Sequence, residues 1–364
     1  MRKHYTTKGI QKNGLDARRE IRKKHGEYID VVILWVDGGD KDWVREKNKW
    51  LRRENNSGGL DDVDVNRYQD WDNVQYIFRG IEKYMPWVRK VHFVTNGQKP
   101  KWLNLDCKKL NWVKHEDFIP KEYLPTFSSH PIELNLHRIK GLSEKFIYFN
   151  DDMFITSAMK ESDFFKKGIP CQQSTLLRIA SANYDEIYWH VLLNNAGIIN
   201  RNFEKNKFIK DHFSKVFSLK NGVISMLLSA SYLPLNNIPG FVNNHVPGGF
   251  LKSTFRKVWE EEQEVLDSVC HHRFRNIMDV NQYLISWWQM CSGRFYPKNV
   301  RRTSRMFTTN PVSIKNAEIA IKNGKYKLIC INDQIKDPNE FSNIKTIINN
   351  SLNEAFPDKS EFEL

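Results

Sequence analysis

No apolar run in the chain comes near the roughly 20 residues that a membrane-spanning helix needs, and the longest are strand-sized. A hydrophobic span is thereby excluded. Nor does an apolar stretch follow the positive charges of the N-terminus, so the expectation is of no secretory signal and of a soluble, cytoplasmic protein. Cysteine is scarce: Cys107, Cys171, Cys270, Cys291 and Cys330 are odd in number, widely spaced and include no Cys-x-x-Cys pair. That argues against a disulfide framework and against a zinc site, and fits a reducing compartment. Low-complexity sequence is missing too. With 40% hydrophobic and 13% aromatic residues over 364 positions, the chain can bury a full core, as one large domain or one domain with a sizeable insertion.

Acidic residues are in deficit, 43 against 56 Lys and Arg, for a formal charge of +13. The excess is uneven: residues 1 to 27 hold nine basic and three acidic side chains. Such an arm could be a solvated helix, an attachment to anionic lipid headgroups, or a nucleic-acid contact. Nucleic acid ranks last, because the chain has no zinc finger, no RNP-like aromatic motif and no helix-turn-helix pattern.

What the chain does have is KFIYFNDDMFI, residues 145 to 155, an apolar strand that runs directly into Asn150, Asp151 and Asp152. The unbroken run of β-branched and aromatic residues suggests burial on both faces, as in a parallel sheet, with the polar residues at its carboxyl end where α/β sheets bind ligands. Adjacent carboxylates repel unless a cation lies between them, so a hard divalent ion is their natural partner, although an Asp-Asp pair after a strand is more often a turn or cap. The design repeats. IDVVILWVDGGD (29–40) ends in Asp37, Gly38, Gly39 and Asp40, VHFVTNG (91–97) in Thr95, Asn96 and Gly97, and KLICIND (327–333) in Asn332 and Asp333. Four such runs could line one edge of one sheet and gather carboxylates and amides into one crevice.

The DGGD turn suits the ribose or phosphates of a nucleotide, or is a plain turn with Asp40 capping the helix KDWVREKNKWLRREN. A helix near WDNVQYIFRGIEKYM followed by VRKVHFVTN makes a strand-helix-strand unit with the first strand. Before the central strand, Ser128, Ser129, His130, Glu133, Asn135, His137 and Arg138 crowd into eleven residues. A short helix over Ile132 to Leu142 would bring Glu133, His137 and Arg138 within about one turn, as substrate contacts or as ordinary core polar groups. Residues 158 to 240 read as a mainly helical insertion that shapes an acceptor site. His245, in a loop before Pro247, Gly248 and Gly249 and ahead of an amphipathic helix, could reach a crevice as a general base. His272, Arg273 and Arg275 cluster in HHRFR, which suits either phosphate or a surface salt-bridge face.

IDVVILWVDGGD, the stretch from RYQDWDNVQYIFRGIEKYM to SEKFIYFNDDMF, HVPGGFLKSTF with HHRFR, and KLICIND together resemble the four conserved regions of the Stealth family. Those proteins are sugar-1-phosphate transferases, among them bacterial capsular polysaccharide phosphotransferases. The resemblance covers roughly residues 28 to 157 and 241 to 357. It implies transfer of hexose-1-phosphate from a nucleotide sugar, usually a UDP-sugar, to a sugar hydroxyl of an oligosaccharide or polysaccharide, with release of UMP. Carried onto matching positions, Asp37, Gly38, Gly39, Asp40 and Asn96 would hold the donor. Asp151 and Asp152, with Asn332 and Asp333, would bind Mg2+ or Mn2+. His245 would take the acceptor proton, with Asp152 beside it, and Arg273 or Arg275 would neutralise the transferring phosphoryl group. The polar clusters themselves, apart from the resemblance, suggest Ser129, His130, Glu133, His137, Arg138 and His272 as contacts of the acceptor or substrate.

The expected fold is α/β, with a Rossmann-like or GT-A-like, mostly parallel central sheet flanked by helices. Its parts are a basic arm (1–27), a catalytic domain in two pieces (28–157 and 241–364) and the helical insertion between them (158–240). A metal-dependent glycosyltransferase that releases UDP, and a non-catalytic polyanion- or membrane-binding protein, are the alternatives.

Overall fold

The computed structural model describes residues 28–54, 68–180, 186–335 and 337–364, so the basic arm of residues 1–27 lies outside the described residues. The chain enters on strand β1 (Ile29–Leu34) and passes through helices α1 (Lys41–Arg53) and α2 (Gln75–Tyr84) to β2 (Val91–Thr95). It continues through β3 (Leu110–Lys114) and helix α3 (Ser129–Asn135) to β4 (Lys145–Phe149) and β5 (Met153–Ile155). The insertion holds α4 (Glu161–Phe164), β6 (Phe165–Lys166), β7 (Ile169–Gln172), α5 (Ile187–Asn202), α6 (Lys205–Val216) and α7 (Val223–Ser231). The chain returns by β8 (Gly248–Leu251), α8 (Lys252–Glu261), α9 (Gln263–His271), α10 (Gln282–Cys291) and β9 (Tyr296–Pro297). It ends on β10 (Ser304–Thr308), α11 (Pro311–Asn323), β11 (Leu328–Asn332) and α12 (Pro338–Ala355).

The central sheet has the order β3-β2-β1-β4-β8, parallel from β3 to β4 and closed by the antiparallel β8. All six residues of β1 are buried, because both faces of the sheet are covered. Val31, Ile33, Phe93, Ile147 and Phe149 pack on Ile77, Phe78 and Ile81 of α2 and on the second sheet. On the other face Val32, Leu34, Val94, Phe146 and Tyr148 pack on α3, α8 and α10 through Leu134, Phe255 and Trp287. An α/β fold with a mostly parallel, helix-flanked sheet is therefore what the apolar runs build.

Two details differ from the sequence-based expectation. The four strand ends that carry small, polar or acidic residues do not share one sheet: β11 pairs with β10 and, antiparallel, with β5 in a separate three-stranded sheet. The turn Asn150–Asp152 carries the chain from the first sheet to the second, and Ile331 N donates to Asp152 O at 2.9 Å, so the strand ends still converge. The polar helix also starts earlier than Ile132. Ser128 caps it by accepting from His130 N at 3.3 Å, and after Asn135 the chain tightens into a 3-10 turn over Leu136–Arg138.

Away from the carboxyl ends of the strands, the fully buried Asp30 anchors β1 to its neighbours. It accepts from Arg89 Nε at 2.8 Å and Ser143 N at 2.8 Å, and His92 Nε2 lies 3.1 Å away. Burial disfavours the carboxylate, but the hydrogen bonds from His92 and Arg89 outweigh it and hold the pKa at about 2 against 3.8. The contribution is complete above the unfolded value and is lost as pH falls from about 4 to about 2, a loss of about 2 kcal/mol. Asp30→Asn should lower the unfolding free energy by about 3 kcal/mol at neutral pH and flatten this acid limb. Urea unfolding at several pH values tests it, and an unaltered acid limb would refute the assignment.

Candidate active site

The site lies where β1, β2 and β4 end and where β11 meets β5. At its centre Asp152 Oδ2 is 3.4 Å from His245 Nε2 and accepts from the Cys330 thiol at 3.1 Å. Its other oxygen, Oδ1, is buried without a hydrogen-bond partner. His245 Nδ1 is 3.1 Å from the Tyr283 hydroxyl on α10, which orients the ring and turns Nε2 toward Asp152. Burial works against a charged imidazole, yet the charge and hydrogen bond of Asp152, helped by Glu133, raise the His245 pKa above its ordinary 6.5.

Carboxylates crowd this centre. Burial, then the charges of Asp152 and Asp70, push Asp151 up to about 7. Asp70 rises to about 6 through burial and the charges of Asp72 and Asp37. Asp333 is raised by burial and by Asp152, although Trp71 Nε1 (3.2 Å) and Ile335 N (2.8 Å) donate to it. Asn332 closes β11 opposite Thr308, half-buried. A set of acids that can shed its mutual repulsion only by holding protons, together with an orphaned carboxylate oxygen, has the donor chemistry of a cation site.

A second polar layer stands behind the first. The buried Tyr148 hydroxyl lies between Glu133 Oε1, at 3.1 Å, and Asn150 Oδ1, so it links helix α3 to the turn that carries the aspartates. Glu133 Oε2 accepts from Gln282 N at 3.3 Å, and burial raises its pKa. Arg275, whose Nη2 is 3.5 Å from Ser129 Oγ, bears electrostatically on both Glu133 and His245. Asp279 organises two imidazoles, 2.8 Å from His130 Nδ1 and 2.6 Å from His272 Nδ1.

Other candidates from the sequence take different places. Arg273 is held on all sides: it donates to Pro125 O at 2.8 Å, sits 3.4 Å from Glu54 and stacks over Trp50 at 4.3 Å. It fastens α1 to the loop before α9's successor and is not aimed at Asp152. His137 is buried beside Phe255 and Trp259, where desolvation lowers its pKa to about 3. Arg138 is exposed over Trp259, 4.9 Å from the ring. Neither His137 nor Arg138 joins the cluster, because the 3-10 turn swings them away from Glu133. Asp40 caps α1 through Asp42 N and Trp43 N. Asp37 exchanges two 2.8 Å bonds between its backbone and the Gln98 amide, and Asn96 accepts from Gln98 N at 3.3 Å. A Cβ on Gly38 would lie 1.5 Å from Tyr68 O, so that glycine is required by chain packing, and Gly39 N donates to Asp37 Oδ1 at 2.8 Å.

The sequence matches the models of three conserved regions of the Stealth proteins: region 1 over residues 27–54, region 2 over 67–172 and region 4 over 320–364. It is 39% identical over 341 residues to the capsular polysaccharide phosphotransferase WcwK of Streptococcus pneumoniae, covering 93% of this chain and 99% of that protein. The chain belongs to the Stealth family. It is also 37% identical over 342 residues to the receptor polysaccharide phosphotransferase WefC of Streptococcus oralis, covering 92% and 99%. With the exopolysaccharide phosphotransferase cps2G of Lactiplantibacillus plantarum it shares 34% over 336 residues, covering 92% and 96%. The apo-form glycosyltransferase GlyE of Streptococcus pneumoniae TIGR4 is similar at 12% identity and a TM-score of 0.21 over 88% of this chain and 79% of that one, too low to bear on the fold.

In this Stealth protein, region 1 supplies Asp37, region 2 supplies Asp70, Glu133, Asp151 and Asp152, and region 4 supplies Cys330 and Asp333. Sequence reasoning missed Asp70, Cys330, Tyr148 and Tyr283. The acid pair Asp70 and Asp72 around Trp71, in a loop before α2, was a usable signal for the first. Period-two alternation in β11 puts Cys330 on the same face as Asn332 and was a signal for the second. Nothing local marks the two tyrosines.

The two arginines separate experimentally. Arg273→Ala should destabilise the fold by about 2 kcal/mol, through lost stacking and hydrogen bonds, with little effect on turnover of the folded protein. Arg275→Ala should leave the melting temperature nearly unchanged and lower turnover by about 10²-fold to 10³-fold. Thermal melts and steady-state kinetics on both variants check this; the reverse pattern would exchange their roles.

Proposed function

We propose that this Stealth protein transfers hexose-1-phosphate from a nucleotide sugar, a UDP-sugar, to a sugar hydroxyl of a capsular or other cell-surface polysaccharide and releases UMP. The relatives named above as polysaccharide phosphotransferases support the reaction class. The observation that carries it here is His245, oriented by Tyr283 and set against Asp152 in a crevice of carboxylates with Arg275 in electrostatic reach.

In this reading the donor lies across the carboxyl ends of β1 and β2, with its nucleotide side toward Asp37 to Asp40 and Asn96. The acceptor hydroxyl approaches His245, whose Nε2 takes its proton. The acceptor oxygen bonds to the phosphorus that carries the hexose as the bridge to UMP breaks, so the phosphorus stays in the product. Arg275 balances charge on the phosphoryl oxygens, and Ser129 and His130 line the acceptor side. Mg2+ or Mn2+ would be held by Asp151 and Asp152, with Asp70, Asn332 and Asp333 in support, and would supply charge neutralisation on the pyrophosphate. Asp152 also steadies His245 once it is protonated, and Glu133 acts through Tyr148 to place the aspartate turn.

Incubating the protein with a panel of UDP-sugars, oligosaccharide acceptors and Mg2+ tests the reaction. UMP release with phosphorus retained in the glycan is expected, and His245→Ala should lower the rate by about 10²-fold to 10⁴-fold. UDP release would overturn the reading in favour of a glycosyltransferase.

Peripheral attachment to an anionic membrane through the basic arm of residues 1–27 completes the proposal. No helix of the described residues is long and apolar enough to cross a membrane. Among them, α7 offers a surface suited to such attachment: Val223, Ile224 and Leu227 are exposed on one face beside Lys220. Sedimentation with anionic vesicles should bring the protein down at low salt, less so after deletion of residues 1–27, and not with neutral vesicles. Equal behaviour with both lipids would refute attachment by charge.

A further inference from the structure

Cys330 has no part in the reaction proposed above, yet its thiol sits on the floor of the site. Asp152, His245 and Cys330 each offer one donor atom, and the three atoms lie within 4.8 Å of one another. Among the described residues no other group of three His, Cys, Asp or Glu side chains is gathered in this way. We infer that these three side chains form a site for a thiophilic divalent ion of the Zn2+ type, and that its occupation withdraws His245 from proton transfer.

The geometry carries this. A tetrahedral ion with bonds of about 2.0 to 2.3 Å sets its donors about 3.3 to 3.8 Å apart. Sγ of Cys330 is 3.1 Å from Asp152 Oδ2, and His245 Nε2 is 3.4 Å from the same oxygen, so two of the three spans are already near the required separation. The third span, at most 4.8 Å, must shorten by about 1.3 Å at most to reach the roughly 3.5 Å expected between sulfur and nitrogen on one ion, a small movement for the part-exposed His245 ring. The Tyr283 hydroxyl at Nδ1 gives His245 the outer partner that ligating imidazoles have, with the proton on Nδ1 and the lone pair of Nε2 toward the ion. The buried, unpartnered Oδ1 of Asp152 can join as a second carboxylate contact. Three protein ligands leave the fourth position of the ion toward the crevice, open to water or to a phosphate oxygen.

Donor chemistry separates this ion from Mg2+. Mg2+ demands oxygen ligands in octahedral geometry and takes nothing from a thiol, so of these three side chains only Asp152, which it would share with the zinc-type ion, suits it. A zinc-type ion gains the thiolate and imidazole that Mg2+ cannot use. On binding, the thiol gives up its proton to solvent, the sulfur keeps the electron pair and no redox change occurs. Spacing alone could not reveal the site, because its ligands come from the aspartate turn, the loop before β8 and strand β11. The binding site stands on geometry; only its inhibitory consequence rests on His245 as the base.

Co2+ titration of the full-length protein in the absence of Mg2+ reads the site directly, since a cobalt–thiolate bond gives a near-ultraviolet charge-transfer band. One equivalent should develop the band, Zn2+ should abolish it, and excess Mg2+ should leave it in place. Cys330→Ser, checked for folding by its melt, should lose the band, and His245→Ala should weaken Co2+ binding at least tenfold. No band in the unaltered protein, or a band that survives Cys330→Ser, overturns the site. In turnover assays at saturating Mg2+, Zn2+ should inhibit with the affinity measured by displacement of Co2+ at the same Mg2+ concentration. A band without inhibition would keep the site and reject the role of His245 as base; absence of transfer with any donor would leave the cobalt result to stand by itself.

Discussion

Mutual repulsion among carboxylates in a partly dry crevice is the constraint around which this molecule is arranged. Asp151 and Asp70 have pKa values pushed to about 7 and about 6 by burial and by their acidic neighbours, so the fold holds acids whose charged forms are disfavoured. Such a cluster costs free energy, and the covering of both sheet faces offsets it. Large aromatic side chains are prominent in that cover: Phe93, Phe146, Phe149, Phe154, Phe255 and Trp287 are among the largest fully buried groups. A stiff, doubly covered sheet can hold charges together that a looser scaffold would let drift apart.

The ionic groups divide between two ends of the strands with opposite logic. Around Asp30 every carboxylate oxygen has donors, and the pKa falls. Around Asp152 one oxygen has no donor and the neighbouring acids rise. The first arrangement is finished and stabilises the fold. The second carries the charge that the proposed Mg2+ or Mn2+ would neutralise. Arg273 and Arg275 repeat the contrast two residues apart, one fully engaged by Trp50, Glu54 and Pro125 O, the other with a single contact at 3.5 Å.

Sheet class, the strand-helix-strand entry and the carboxylates of the central strand were legible in the sequence, because each rests on a local pattern: an unbroken apolar run, a capping aspartate, polar residues at a strand end. Separation of the strand ends into two sheets was not legible. Asn150 to Asp152 looks like an ordinary turn, and only the pairing of β5 with β11 shows that the chain changes sheets there. Nor could spacing show that Glu133 faces the site while His137 faces the core, since the switch from α-helix to 3-10 turn at Leu136 depends on packing against Phe255 and Trp259. Tyr283 was invisible for a related reason, since it becomes informative only beside His245, 38 residues away, and the alternation that marks Cys330 does not point to its partner Asp152, 178 residues away.

The insertion leaves from the end of β5 and returns at β8, which pairs with β4, while Leu176 bridges Phe241 between its two ends. Its entrance and exit therefore stand close together on the scaffold. Between these ends Leu192, Ile199 and Phe208 of α5 and α6 pack into the same core as Phe146 and Trp287, so the segment is part of the cover of the catalytic sheet. A change on the packing face of α5 therefore reaches α10 and, through the Tyr283 hydroxyl, the ring of His245.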